Sequence, residues 1–215
     1  ALGFWLQVFP PVEAVALAAS LSVISGLQGV WVVRRGIQLR RLSVFVVPAV
    51  VGLPLGVLLL QHLAVGGLRV LVAVLLLGYG VWFSLREMPK WRDASPWLDS
   101  GVGFAGGVLG GMAGLSGALP MMWCSLRGWP KAETRGVLQP FNVTILSLAV
   151  LGYLVFGFLD RGFLIKLALC LPVTLLAAQA GIALFNWLSD FGYRRLLVWM
   201  MVLSGLSLLW REWWH

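Results

Sequence analysis

Residues 103–120 read GFAGGVLGGMAGLSGALP, an apolar run that glycine interrupts every few residues and that ends in proline. Unpaired backbone groups are costly in hydrocarbon, so a helix that breaks inside a membrane must be buried in protein or face a watery cavity. Glycine lets the chain turn and lets a ligand approach the backbone closely. The stretch therefore predicts a broken membrane element beside a cavity. A close helix crossing made by small residues is the alternative.

The composition of the whole chain places this stretch in a membrane protein. Of 215 residues, 60% are hydrophobic and 11% are charged, and the mean hydropathy is +0.92. These values exclude a soluble enzyme, a disordered chain and a disulfide scaffold, because a soluble domain of this size cannot bury so much apolar surface. The net charge of +8 is clustered between apolar runs, which is typical of membrane topology and not of nucleic-acid binding. Cys124 and Cys170 lie in apolar surroundings, and neither metal-ligand spacing nor a phosphate loop occurs, so no metal and no cofactor are predicted.

Five apolar runs are long enough to cross the hydrocarbon core as helices, which takes about 20 residues. They cover residues 12–33, 42–63, 68–85, 136–158 and 163–187, and a shorter sixth run covers 193–210. Residues 100–127 have the length but contain the break. The predicted fold class is therefore an all-α, polytopic membrane protein.

The two halves of the chain resemble each other. The polar stretch 86–99 divides the chain near its middle. A shift of 125 residues superposes Arg69 on Arg194, and a shift of 118 residues superposes Trp5 on Trp123. These matches predict two repeats, each with a short broken element followed by three crossings.

Basic residues set the predicted orientation, because Lys and Arg collect on the cytoplasmic side of a membrane. If residues 100–127 re-enter the membrane, all but four of the 16 basic residues lie in cytoplasmic loops, whereas all but six do if the segment spans. The re-entrant topology is favoured, and an odd number of crossings per repeat then makes the repeats inverted. The predicted organisation is a first repeat over 1–85, a polar cytoplasmic linker over 86–99 and a second repeat over 100–215.

The alignment of the repeats also predicts residues before the start of this chain. Ala1 pairs with about Leu119, so the first repeat lacks a counterpart of residues 100–118. We expect the natural protein to carry at least about 20 further N-terminal residues with a Gly-rich segment of the same kind. Intact-mass measurement of the native protein would check this.

Neutral polar side chains lie beside the predicted break and in the helices around it. A half-helix that starts after the break directs free N–H groups and its positive dipole end at the cavity, which suits an anion. Ser116 adds a hydroxyl, and Gln139 and Asn142 share one helix face three residues apart. Bonds between neighbouring helices are an equal alternative for these amides. The predicted substrate-binding residues are Gly111, Gly114, Ser116, Gly117, Gln139, Asn142 and Ser22. Because Asp and Glu fall only at the ends of predicted crossings or in loops, a cation substrate or a carboxylate proton relay is not expected.

A rival interpretation starts from Gly114-Leu115-Ser116-Gly117, which resembles the G-x-S-G nucleophile motif of rhomboid intramembrane proteases. A serine nucleophile needs a base within hydrogen-bond reach, normally histidine. His62 precedes the serine at a helix end and His215 closes the chain, so the protein is not expected to be an enzyme. A membrane assembly or receptor subunit without transport activity is the other alternative.

The Gly-rich segment GFAGGVLGGMAGLSGALPMMW, the loop 128–133 with its proline and the helix that carries Asn142 together resemble the TauE/SafE family of sulfite exporters. Residues 9–16, FPPVEAVA, begin a weaker copy of the same pattern. The resemblance implies a secondary transporter of the bacterial cytoplasmic membrane. Its expected partners are the lipid bilayer and a small anion such as sulfite, a sulfonate or a related organic anion, with a homo-oligomer as a further possibility.

Overall fold

The fold is entirely helical over the residues that the structure describes. The computed structural model describes residues 8–62, 65–84 and 95–187, together with Trp5 and residues 199, 202, 203, 205–207 and 210. The α-helices are α1 (Pro11–Val33), α2 (Leu39–His62), α3 (Val65–Ser84), α4 (Pro96–Ala113), α5 (Ala118–Leu126), α6 (Lys131–Val155) and α7 (Arg161–Trp187), with a short 3-10 turn at Arg34–Gly36.

Four helical segments are long and apolar enough to cross a membrane: Pro11–Trp31, Leu39–His62, Glu133–Val155 and Arg161–Ala180. Helix α3 contains a shorter apolar stretch, Gly66–Gly78. The prediction of an all-α, multi-pass membrane protein is confirmed. The predicted run 193–210 and most of the linker 86–99 lie outside the described residues.

Helix starts differ from the predicted ones by a few residues, and local capping explains the difference. Helix α6 begins five residues before the predicted position 136, directly after Pro130, whose fixed φ suits the start of a helix. Helix α4 begins at Pro96, inside the predicted linker, for the same reason. The Asp160 carboxylate caps α7 by accepting a 2.7 Å hydrogen bond from the Phe163 N–H.

Helices α4 and α5 form a hairpin whose tip is the predicted break. Gly114 takes the left-handed conformation (φ 65°) directly after α4, and its N–H bonds to the Gly110 carbonyl oxygen. Helix α5 then returns along α4, so that Asp99 in the first turn of α4 accepts hydrogen bonds from Trp123 and Arg127 at the far end of α5. The prediction of a break at this glycine run is confirmed, and both ends of the hairpin lie at the same end of the bundle.

Helices α2 and α4 pack side by side in parallel through the glycines that precede the break. A Cβ atom at Gly103, Gly107 or Gly111 would overlap the backbone of Phe45, Ala49 or Leu53. Small residues at this spacing let two helix backbones approach closely. The alternative interpretation of close helix packing is therefore correct for this part of the glycine run.

Helices α1 and α6 pack against each other in antiparallel orientation. Gly26 of α1 contacts Val143, Gly29 contacts Gln139, and Gly36 beyond the end of α1 lies against Gly136. Residue numbers therefore increase along α1 in the direction in which they decrease along α6. Two further pairings, α2 with α6 and α1 with α7, complete the bundle around the hairpin.

Candidate functional site

A cavity of about 410 Å³ lies between α1, α3, α6 and the tip of the α4–α5 hairpin. Its lining combines neutral polar groups with apolar side chains. The described lining residues are Ser22, Ser25, Gly26, Leu75, Leu76, Gly114, Leu115, Ser116, Gly117, Ala118, Gln139, Asn142, Val143 and Leu146. The apolar part comes largely from α3, while the polar part comes from α1, the hairpin tip and α6. On α6, Gln139 and Asn142 share the face toward the cavity with Val143 and Leu146.

The cavity lies about halfway along the long helices. Ser22 comes 11 residues after the first residue of α1, and Asn142 comes 11 residues after the first residue of α6. At 1.5 Å per residue each side chain is about 16 Å from the start of its helix. Half of a hydrocarbon core is about 15 Å, so a membrane matched to these helices has the cavity near its midplane.

Ser116 and Asn142 form the central polar contact of the cavity. The buried Ser116 hydroxyl donates a 2.8 Å hydrogen bond to Asn142 Oδ1. This bond orients the amide so that its two Nδ2 N–H donors point away from Ser116. A Cβ atom at Gly117 would lie 2.5 Å from both Oδ1 and Nδ2 of Asn142, so any larger residue here would displace the amide.

Two other polar side chains of the lining bond to backbone carbonyls of α1. Gln139 Nε2 donates to the Gly26 carbonyl oxygen at 3.2 Å, and the Ser25 hydroxyl donates to the Leu21 carbonyl oxygen at 2.9 Å. Gln139 therefore bonds to a neighbouring helix, which is the alternative that the sequence left open. Asn142 and Ser22 are the better placed donors to a ligand.

The tip of the hairpin presents its positive end to the cavity. Three carbonyls in the last turns of α4 accept hydrogen bonds from beyond the helix: Gly110 from Gly114 N–H, Leu109 from Leu115 N–H, and Gly111 from the Tyr153 hydroxyl at 2.5 Å. These bonds offset the negative end of the α4 dipole. Helix α5 starts at Ala118, on the cavity wall, and its N-terminal end faces the space.

The structure brings six of the seven predicted binding residues to one cavity. Gly114, Ser116, Gly117, Gln139, Asn142 and Ser22 all line it. Gly111 does not belong to this lining: it packs against Leu53 and Val57 of α2, one turn before the break. The ligand-binding role of these residues stays a prediction, and we leave Gly111 out of the proposed site.

The serine of the G-x-S-G motif has an amide as its hydrogen-bond partner. Ser116 donates to Asn142, whereas His62 lies at the exposed end of α2, with Nδ1 2.9 Å from the Leu58 carbonyl oxygen of its own helix. An amide oxygen is not basic enough to take the proton of an attacking serine. Ser116 therefore bonds to an amide and not to His62, while His215 lies outside the described residues.

Three polar features of the structure are missing from the predicted site, and one of them, Ser25, lines the cavity itself. Tyr153 caps α4 from α6, and the buried Asp99 joins both ends of the hairpin. The sequence could have indicated the role of Asp99, since an acidic residue in the first turn of an apolar helix needs a partner when it is buried. The sequence could not have indicated the role of Tyr153, because a single tyrosine late in an apolar helix has the same pattern as an aromatic residue at a membrane interface.

A family model described as Sulfite exporter TauE/SafE matches residues 1–208 of the chain. No curated protein and no solved structure matches the chain.

Proposed function

The chain belongs to the sulfite exporter TauE/SafE family, a family of membrane transporters, and we propose that it carries sulfite or a related small anion across the bacterial cytoplasmic membrane by alternating access. The observation that carries this proposal is the cavity at the hairpin tip, where neutral polar groups from α1, α6 and the tip converge about halfway along the long helices. Short sulfonates and other small organic anions are the related substrates that fit the same chemistry.

Inverted repeats are the proposed architecture, and the antiparallel contact of α1 with α6 supports them. These helices occupy equivalent places in the two repeats, since each follows a proline and precedes a second long helix. Many secondary transporters are built from two repeats of opposite orientation with the substrate between them. Rocking of one repeat against the other would expose such a site to alternate sides.

We further propose that the α4–α5 hairpin is a re-entrant element. Its two ends meet at Asp99, while its tip reaches Asn142, about 16 Å along α6 from the helix start. A hairpin that entered and left on one side would place this tip, with its broken backbone, in a cavity inside the protein. Broken backbone at membrane depth requires such surroundings.

The chemistry of the lining suits an anion that must be released again. Ser116, Asn142 and Ser22 offer hydroxyl and amide donors, and the start of α5 adds a partial positive charge. These described groups carry no formal charge, so the anion is held without a strong ion pair. The wall formed by Leu75 and Leu76 accommodates an apolar substituent beside the charged group.

Reconstitution of the purified protein into liposomes tests the proposed function. We expect flux of labelled sulfite or of a short alkanesulfonate above that of empty liposomes, and no flux of an ammonium compound of similar size. A protein that is correctly reconstituted, as shown by its retained monodisperse behaviour after extraction, and that moves none of the anions would contradict the proposal.

A further inference from the structure

An aromatic residue, a proline and a glutamate recur at the starts of α1 and α6. Residues 9–13 read FPPVE and residues 129–133 read WPKAE, so the two copies match at a shift of 120 residues. Pro10 has φ −55° and ψ 152°, and Pro130 has φ −57° and ψ 150°. Each proline carbonyl accepts a 2.9 Å hydrogen bond from the N–H four residues later. The two helix starts are therefore built alike.

Each of the two glutamates forms an ion pair with a basic residue of another helix. Glu13 pairs with Lys166 of α7, and Glu133 pairs with Arg41 of α2. Burial is nearly the same in both pairs: the carboxylate side chains are 20% and 19% exposed, and the basic side chains are 40% and 45% exposed. The second pair thus repeats the first in partners and in environment.

The aromatic residue of each motif lies against the same basic side chain. Lys166 Nζ is 5.2 Å from the ring centre of Phe9, and Arg41 Cζ is 5.0 Å from a ring centre of Trp129. Both distances are within the range of a cation–π interaction. Each basic residue therefore contacts the carboxylate and the aromatic ring of one motif.

The two ion pairs lie at opposite ends of the bundle. Helices α1 and α6 are antiparallel, so their starts, and the glutamates there, are at opposite ends. Each pair also joins the two repeats, because one connects α1 to α7 and the other connects α6 to α2. The cavity lies between them, about halfway along the same helices.

We infer that these ion pairs are two alternating latches, with Glu13–Lys166 holding the repeats together at one face of the membrane and Glu133–Arg41 holding them together at the other. Each pair opens in turn while the other stays closed, so that the cavity never opens to both faces. A partly exposed ion pair suits this task, because it is weak enough to break and re-form. The inference rests on the proposed alternating-access transport, and it names residues that control access to the cavity without touching the anion.

Accessibility of one cysteine in the cavity tests the inference without any substrate. Ser22→Cys is introduced after Cys124 and Cys170 are replaced by alanine, and a membrane-impermeant thiol reagent is applied to right-side-out and to inside-out membrane vesicles. We expect Glu13→Gln to raise the labelling rate roughly two- to fivefold from the face where α1 begins, as the strength of a half-exposed ion pair implies. Glu133→Gln, the matched variant, should raise it from the opposite face only.

The charge-swapped variant Glu13→Lys with Lys166→Glu distinguishes two explanations. Either the ion pair itself is needed, or each position needs its original side chain. The swap restores the ion pair, so we expect the labelling rate to return to that of the parent. Labelling that rises equally from both faces, that does not change, or that stays raised after the swap would overturn the inference. The labelling experiment contains no transported anion. Absence of anion flux in the separate liposome experiment would therefore contradict the proposed function without changing the labelling result.

Discussion

At the scale of single residues, the hydrogen bond between Ser116 and Asn142 is the feature on which the proposed site depends most. We expect Ser116→Ala and Asn142→Ala each to slow anion flux several-fold, since one hydrogen bond contributes about 1 kcal/mol. The double variant should lose little more than Asn142→Ala alone, because both changes remove the same contact. Initial rates in liposomes measure this, and fully additive losses would show that the two residues act separately.

Gly114 supplies the left-handed residue that ends α4, and any other residue there is strained. We expect Gly114→Ala to lower the free energy of unfolding by about 1 kcal/mol and to slow flux by displacing the tip. Gly101→Ala is the matched control, because Gly101 is helical with open space around it and alanine favours a helix. Thermal unfolding in detergent compares the two, and equal melting temperatures would contradict the role assigned to Gly114.

The sequence predicted the polar residues of the cavity except Ser25, and it did not show which of them bond to other parts of the protein. Ser22, Ser116 and Asn142 were recognisable because a polar group inside an apolar run needs a partner. Gly111 and Gly114 look alike in sequence, but only the structure shows that one faces α2 and the other ends the helix. A run of glycines does not reveal which of its members pack and which turn, because that depends on the neighbouring helix.

At the scale of elements, Asp99 holds the two ends of the hairpin together. The Asp99 carboxylate accepts hydrogen bonds from Trp123 Nε1 at 2.5 Å and from Arg127 at 3.2 Å. We expect Asp99→Ala to lower the free energy of unfolding by about 2 kcal/mol, the size of a buried hydrogen bond to a charged group. Asp99→Asn should cost less because its amide oxygen still accepts a hydrogen bond. Melting temperatures in detergent rank these variants. An unchanged melting temperature of Asp99→Ala would contradict the role of Asp99 in holding the two ends of the hairpin together.

The contact between α2 and α4 depends on glycine at the crossing. A Cβ atom at Gly107 would overlap the carbonyl oxygen of Ala49, so we expect Gly107→Val to separate the helices and to reduce the yield of folded protein. Gly78→Val in α3 is the control, because that position has open space. Size-exclusion profiles of the detergent extracts measure the folded fraction, and a monodisperse Gly107→Val protein at parent yield would argue against this packing.

Hydropathy predicted where the long helices occur, but it did not predict the residues at which they begin. Runs of about 20 apolar residues predicted α1, α2, α6 and α7, because a membrane imposes that length on any crossing helix. Prolines at positions 96 and 130 start helices among polar residues, where hydropathy carries no signal. The pairing of Glu13 with Lys166 was also not predicted, although the repeated aromatic–Pro–x–x–Glu pattern marked both motifs.

At the scale of the whole molecule, the proposed inverted repeats place the loop after α1 and the loop after α6 on opposite faces. We expect a cysteine at Gly36, next to two arginines, to be labelled from the cytoplasmic side. A cysteine at the exposed Phe156 should be labelled from the other side. Impermeant reagents on intact cells and on inverted vesicles distinguish the two, and labelling of both positions from one face would rule out the proposed topology.

We propose that the neutral cavity at the hairpin tip binds the transported anion. Asn142→Asp tests it most directly, because a carboxylate at this position still accepts the Ser116 hydrogen bond but repels an anion, and like charges in contact cost several kcal/mol. The measurement is the initial rate of labelled sulfite flux in liposomes at pH 8, with Ser43→Asp, an added charge in the exposed first turns of α2, as the control. We expect Asn142→Asp to lower flux more than tenfold while Ser43→Asp keeps the parent rate. Parent-rate flux by Asn142→Asp would contradict it.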